Sequence, residues 1–203
     1  MASPSGPRQR QREATRERIL EAAVEAFAEK GFLGASTRDI ARRAGTNQGL
    51  ITYHFRSKDA LWRAAADHIF DGLGRQLDER LVALEPGGPR ERAREAIRVY
   101  VRFAAAHPEL FRLMVDEGKV ADERMTWLVD THLRPRFDAI ARGLMDFAGI
   151  DETLLPHAFY ALAGAASLIF AVAPECRRLT GLDPRTENAV ETHADFVARL
   201  LVP

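Results

Sequence analysis

Gln48, Gly49, Thr52 and Tyr53 fall at the spacing of one helical face, and their residue types suit contact with a DNA major groove. Glutamine pairs bidentately with adenine, threonine bonds a base edge or touches a thymine methyl, and glycine lets the backbone approach a phosphate. The N-terminus of such a helix also favours a phosphate. Arg38, ten residues earlier, is within reach of a base edge or a phosphate. Lys58 falls in the first turn of the following helix, where its charge opposes the helix dipole. That conflict suggests service to an anion outside the chain.

These residues need elements to hold them. Ser36-Thr37-Arg38-Asp39 reads as a capping box, with a hydroxyl at the N-cap and a carboxylate three residues on. Ile40, Ala41 and Ala44 form the buried face of the short helix that follows, and Gly45 stops it. Asn47 caps a second short helix over about 48–54, in which Ile51 and Phe55 turn inward against Ile40. Two short helices joined by Gly45-Thr46-Asn47 have helix-turn-helix spacing. Upstream, Ile19, Leu20, Ala23, Val24 and Phe27 make one apolar stripe, and Gly31 ends that helix. Downstream, Ser57 caps a longer helix carrying Leu61, Trp62, Ala65, Ile69 and Leu73.

The chain has 203 residues, with 29 Lys+Arg against 29 Asp+Glu. The zero total conceals a division. Residues 1–64 hold 12 basic and 7 acidic side chains, and the remainder hold 17 and 22. A basic end that meets an anion fits this pattern. Composition is near the globular average, which excludes fibrous and disordered classes. The single cysteine, Cys176, excludes an internal disulfide and a cysteine-based zinc site. It fits a reducing cytoplasm, and beside Arg177 and Arg178 it reads as a bystander or a redox switch. No signal peptide is visible, and the apolar run 158–173 is shorter than the roughly 20 residues of a membrane helix.

Residues 1–12 read as a disordered basic arm. Pro86-Gly87-Gly88-Pro89 is the clearest break. Helical patterns follow over about 90–106, 108–117, 122–147, 154–173 and 184–201. Pro135 kinks or interrupts the third of them, and Asp183-Pro184 reads as a cap with proline at the first helical position. No period-two alternation appears, so the fold expected is all-α.

Residues 12–62 resemble the TetR family of bacterial transcriptional regulators. The resemblance lies in Thr15-Arg16-Glu17-Arg18-Ile19-Leu20-Glu21-Ala22-Ala23, Phe27-Ala28-Glu29-Lys30-Gly31-Phe32, Ser36 through Ala41, Ala44-Gly45, and Tyr53-His54-Phe55 with Lys58 and Leu61. It implies a helix-turn-helix domain over 13–60 and a larger helical domain for effector binding and dimerisation over 61–203. It further implies a homodimer on a near-palindromic double-stranded DNA operator. Thr37, Tyr53, His54 and Lys58 would hold phosphates; Arg38, Gln48, Gly49 and Thr52 would face bases; Thr46 and Asn47 belong to the same surface. Two departures stand out: Thr46 replaces a residue often apolar, which suggests half-burial, and Thr52 replaces a frequent tyrosine. His54 reads equally as a packing hydrogen-bonder.

By the same resemblance the second part holds an effector pocket and a four-helix dimer bundle. Larger residues of the middle helices are the pocket candidates: Phe103, Phe111, Met114, Trp127, His132, Phe137, Tyr160 and Phe170. The class of the small molecule is not legible. Ala161, Gly164, Ala165 and Leu168 form a small-residue strip on a helix apolar on most sides, which a partner helix would cover. Ala189, Phe196, Val197 and Leu200 join that face, unless they fill an intramolecular core. No metal or cofactor set, phosphate loop or nucleophile motif is present, so catalysis is not expected. Repression is the expected mode, with gating by a partner protein, or no effector, as the alternative.

Overall fold

A computed structural model describes residues 6–83, 88–148 and 151–202, with only the backbone at 143–148. Every regular element among them is helical. These are α1 Pro7–Gly34, α2 Thr37–Arg43, α3 Gln48–His54, α4 Lys58–Ala83, α5 Pro89–Ala106, α6 Glu109–Glu117, α7 Glu123–Leu128, α8 Arg134–Ala148, α9 Leu155–Ala171, α10 Ala173–Thr180 and α11 Glu187–Leu201. Two compact units divide within α4, between Ile69 and Phe70. That is nine residues beyond the boundary expected at 60/61.

In the first unit, Ile19, Leu20, Ala23 and Phe27 of α1 are buried with Ile40, Ala41, Ile51, Phe55, Leu61, Trp62 and Ala65. Gly31 takes φ 65° and breaks the regular path of α1, a conformation that side chains with a Cβ rarely adopt. Ser36, Asn47 and Ser57 each cap the next helix, accepting from the amides of Asp39, Leu50 and Ala60 at 3.0–3.1 Å. The reciprocal arm expected of the capping box is replaced by ion pairs. Asp39 bonds Lys30 at 2.9 Å, Arg42 at 2.5 Å and Arg43 at 3.1 Å, and Arg43 also pairs with Glu29. These pairs tie α2 to α1, and Lys30 followed by Arg42 holds the Asp39 carboxyl well below the usual range.

The arm expected to be disordered over 1–12 is helical from Pro7 onward. Proline suits the first turn, where its missing N–H would have no partner anyway. The amides of Gln9 and Arg10 donate to the Gly6 carbonyl, and Gln9 bonds Glu13. Residues 1–5 lie outside the described residues.

In the second unit, α5, α9 and α11 enclose a core of Ile97, Val101, Ala104, Ala166, Phe170, Ala194, Val197 and Ala198. Ion pairs stitch its edge: Arg98 with Asp195 at 2.9 Å and Arg102 with Glu191 at 2.7 Å. The segment expected over 122–147, kinked or interrupted at Pro135, is three pieces, because Val129–Leu133 forms a wider π turn before α8. Pro135, second in α8, blocks a regular continuation. Arg136 answers two carbonyls there, donating to His132 and Phe70 at 2.8 Å each.

The pattern expected over 154–173 ends at Ala171, and a further helix, α10, follows with Pro174 in its first turn. One further expectation fails locally. Asp183-Pro184 forms a turn, with Asp183 accepting from the Arg185 amide, and Thr186 caps α11. The membrane-length argument also changes. The helical run from Glu152 to Ala171 has the length and composition of a membrane span, and 28% of its most apolar window is buried within the chain.

Candidate nucleic-acid interface

Helices α2 and α3, the turn between them and the start of α4 carry the proposed contact residues. Arg38, Asn47, Gln48, Gly49, Thr52 and Tyr53 are exposed, while Thr37, Thr46, His54 and Lys58 are half-buried. Ile51 and Phe55 anchor α3 inward, as their spacing predicts. The buried pair fixes the rotation of α3, so the opposite side must face outward.

Several of these side chains already have partners. Gln48 Nε2 donates to Thr37 Oγ1 at 3.2 Å, linking the start of α3 to the start of α2. Thr52 Oγ1 bonds back to the Gln48 carbonyl at 3.2 Å. Asn47 spends its Oδ1 on the cap of α3, so a DNA contact from this residue falls to its amide nitrogen. The Thr46 amide donates to the Ala41 carbonyl at 2.9 Å, consistent with a half-buried turn residue. Gly49 has close quarters: an added Cβ would meet Asn47 Oδ1 at 3.1 Å.

Lys58 differs from its expected role. Its ammonium donates to the Leu33 carbonyl at 3.3 Å and lies 4.7 Å from the centre of the Phe32 ring. The cation therefore answers a carbonyl beyond the break at Gly31, as well as facing the surface. Sequence reading saw only the conflict with the dipole of α4, because Leu33 is 25 residues away.

Two arginines that were not among the predicted contact residues join the site. Arg12 lies over the Tyr53 ring at 5.4 Å, and Arg16 over the Phe55 ring at 5.5 Å. His54 sits edge-on to Tyr53, with ring centres 5.2 Å apart. Its pKa is pushed down by burial and by the charges of Arg12 and Arg16. For Arg12 the signal was hidden by reading residues 1–12 as unstructured, and for Arg16 the partner ring lies 39 residues along the chain.

The second unit redistributes the other predicted residues. Phe103 and Phe170 belong to the packed interior. Tyr160 is 75% exposed. Trp127 and His132 do meet, at 5.3 Å between ring centres, and His132 stacks on Phe70 at 4.5 Å. Phe137 packs edge-on against Phe159, while Phe111 and Met114 are half-buried on α6. Two surface depressions stand out among the described residues. One, of about 600 Å³, is lined by Asp122, Glu123, Thr126, Trp127 and Asp130 among others. The second, of about 300 Å³, lies between α9 and α11 beside Phe170, His193 and Phe196. The eight pocket candidates are not gathered around either one.

Of the proposed dimer residues, Val197 is fully buried and Ala189 nearly so, both within this chain. They serve the intramolecular alternative. Ala161, Leu168, Phe196 and Leu200 remain exposed, and Gly164 and Ala165 are half-buried. One face of α9 and α11 is thus spent on the core and the other is not.

Residues 19–65 match the family described as "Bacterial regulatory proteins, tetR family". The chain is 34% identical over 197 residues to the HTH-type transcriptional repressor Rv3405c of Mycobacterium tuberculosis, covering 95% of this chain and 92% of that protein. It is 30% identical over 114 residues to the HTH-type transcriptional repressor NicS of Pseudomonas putida, 56% of this chain and 53% of that one. Among solved structures, the fatty acid degradation regulator FadR of Bacillus halodurans shares the fold with a TM-score of 0.69 at 20% identity, covering 98% of this chain and 97% of that chain. AibR, solved with isovaleryl coenzyme A and operator DNA, shares it with a TM-score of 0.72 at 18% identity over 93% and 98%. With a relative this similar along nearly its whole length, the chain belongs to the tetR family of bacterial transcriptional regulators and is not an enzyme.

Proposed function

We propose that the protein is a repressor that binds a near-palindromic operator as a homodimer and is released by a small molecule. The observation that carries this reading is the outward side of α2 and α3. Arg38, Gln48, Gly49 and Thr52 are exposed there, and buried Ile51 and Phe55 hold that side in place. Arg38, Gln48, Gly49 and Thr52 face bases; Thr37, Tyr53, His54 and Lys58 hold phosphates; Thr46 and Asn47 support the turn. Half-sites fall about 34 Å apart, one helical turn of DNA.

Dimerisation uses the uncovered side of α9 and α11. Phe196, Leu200 and Leu168 are 59%, 58% and 51% exposed. An apolar surface of this kind marks an interaction site, and a twofold axis lets one such patch meet its own copy. This also answers the membrane-like composition of α9: a second copy covers what the single chain leaves open.

The effector acts by shifting the population between two forms of the dimer. Helix α4 contributes residues to both units, so it is the element through which occupancy of the second reaches the first. Acyl-coenzyme A thioesters are the first class to screen, since the solved AibR carries isovaleryl coenzyme A and the FadR of Bacillus subtilis carries stearoyl-CoA. A second reading, gating by a partner protein or by no effector, is favoured by one observation: neither depression on the second unit gathers the predicted pocket residues. As a bacterial transcription regulator the protein works in the cytoplasm, joining the nucleoid when bound.

The test is selection of bound fragments from the source organism's DNA with the full-length protein. Enrichment of one motif with twofold symmetry supports the reading, and enrichment without any shared motif rejects it. Release of the selected fragment by a thioester, by at least about tenfold in affinity, supports ligand gating. Retention through the whole screen turns the reading to partner gating.

A further inference from the structure

We propose that Arg8, Arg12 and Arg16 form a second DNA-contact line on α1, gripping backbone phosphates beside those reached by α3. The inference deepens the reading of this chain as a DNA-binding regulator and rests on it.

Three observations converge on that line. First, the segment is helical, so its arginines have a fixed relation to one another. At 3.6 residues per turn, positions 8, 12 and 16 share an arc of about 80° and span about 12 Å along the helix. The acidic residues of the same stretch, Glu13, Glu17, Glu21 and Glu25, fall outside that arc, so the line is cationic throughout.

Second, the line ends against the interface. Arg12 lies over Tyr53 and Arg16 over Phe55, at the end of α3. The stripe is therefore docked to the helix that faces DNA. Stacking of a guanidinium on a ring leaves its edge N–H groups free to bind an anion. Tyr53, itself 64% exposed, is held by Arg12 at the position from which it reaches a phosphate.

Third, the charges are unspent. Arg8, Arg12 and Arg16 are exposed and have no carboxylate partner among the described residues, whereas Arg42, Arg43 and Arg63 of the same unit are ion-paired. The cations Arg12 and Arg16 also press on half-buried His54, and a phosphate between them would relieve that repulsion. A row of unpaired guanidinium groups fits a polyanion with regularly spaced charge, and the adjoining α3 identifies it as the same duplex.

The line carries no base readout. Its contribution is to affinity, salt dependence and the length of backbone covered. The test uses the full-length protein, a fragment selected from genomic DNA and a random-sequence duplex. Three variants are compared: one with Arg8→Gln, Arg12→Gln and Arg16→Gln, one with lysine at the same three positions, and Arg18→Gln as an off-stripe control. Each contact should supply about 0.9 to the slope of log affinity against log salt. The glutamine variant should therefore lose about 2 to 3 from the slope per protomer. It should weaken on both DNAs alike, and should lose hydroxyl-radical protection only at the outer backbone positions. The lysine variant and Arg18→Gln should keep the wild-type slope. An unchanged slope in the glutamine variant overturns the proposal, as does an equal loss in the lysine variant. If the wild-type protein bound neither DNA in a salt-dependent way, the DNA-binding reading itself would fall, a result distinct from either.

Discussion

Phe196→Ala isolates the dimer face from the core of the same helix. Phe196 and Val197 are neighbours on α11, yet the first is 59% exposed and the second fully buried. A phenylalanine side chain covers on the order of 200 Å², so roughly 120 Å² is free for a partner to cover. At about 25 cal/mol per Å² this is worth about 3 kcal/mol per copy as a ceiling. A twofold interface contains the residue twice, which doubles the ceiling to about 6 kcal/mol. Alanine keeps part of the contact, and truncation of a central aromatic anchor of an interface costs about 2–4 kcal/mol. The expected change is therefore a dimer dissociation constant raised by about 30- to 1000-fold. Sedimentation equilibrium measures it directly. The monomer's own fold should survive, since the lost atoms lie outside the core, and circular dichroism checks that point. Val120→Ala, an exposed apolar position outside α9 and α11, serves as control and should leave the dimer intact. A Phe196→Ala dissociation constant within twofold of wild type would refute the assignment of this face.

Lys58→Ala should weaken binding to all DNA sequences and reduce the salt slope by about 0.9 per protomer. Because its ammonium also answers the Leu33 carbonyl, it should lower stability by about 1 kcal/mol in urea titration. Ser36→Ala removes the hydroxyl that caps α2 and should cost about 1 kcal/mol by thermal melting. The preferred operator bases should not change. Native His54 and His193 both have lowered pKa values, His54 through burial and then Arg12 and Arg16, His193 through burial against an opposing bond to Ala165. The unfolded chain thus binds more protons, so these groups leave stability intact above the ordinary histidine value of about 6.5 and reduce it as pH falls through that value. The difference in melting temperature between wild type and the His54→Gln, His193→Gln variant should show this slope. A flat difference between pH 7.5 and 5.5 would exclude it.

Local chemistry was legible in the sequence and long-range choice was not. Ser36, Asn47 and Ser57 announce helix starts because a cap needs only its own hydroxyl or amide and an N–H three residues on. Ile51 and Phe55 turn inward as their spacing requires. Pro184 misled, because proline serves a turn as readily as it opens a helix, and the difference lies in the surrounding backbone. The π turn before Pro135 left no periodic signature, and the Arg136 guanidinium that donates to its His132 carbonyl also donates to the Phe70 carbonyl, 66 residues away in the chain. Val197 and Phe196 are both apolar, and periodicity alone does not say which of two available cores a side chain enters. The same limit separated Phe170, now interior, from Tyr160, now exposed. Within the interface, the role of Lys58 was half-seen and the arginines of α1 were missed, since their partners lie 25 to 41 residues along the chain.

The central claim is that the exposed side of α3 reads bases, and Gln48→Ala tests it most directly. Affinities are measured for the selected fragment, for versions changed at each base pair in turn, and for random-sequence DNA, all at one salt concentration. The account predicts that Gln48→Ala loses about 1–3 kcal/mol on the selected site. It should become indifferent to the base at one position in each half-site, and bind random DNA as wild type does. An equal loss on every duplex would contradict it, and would reduce α3 to a phosphate contact.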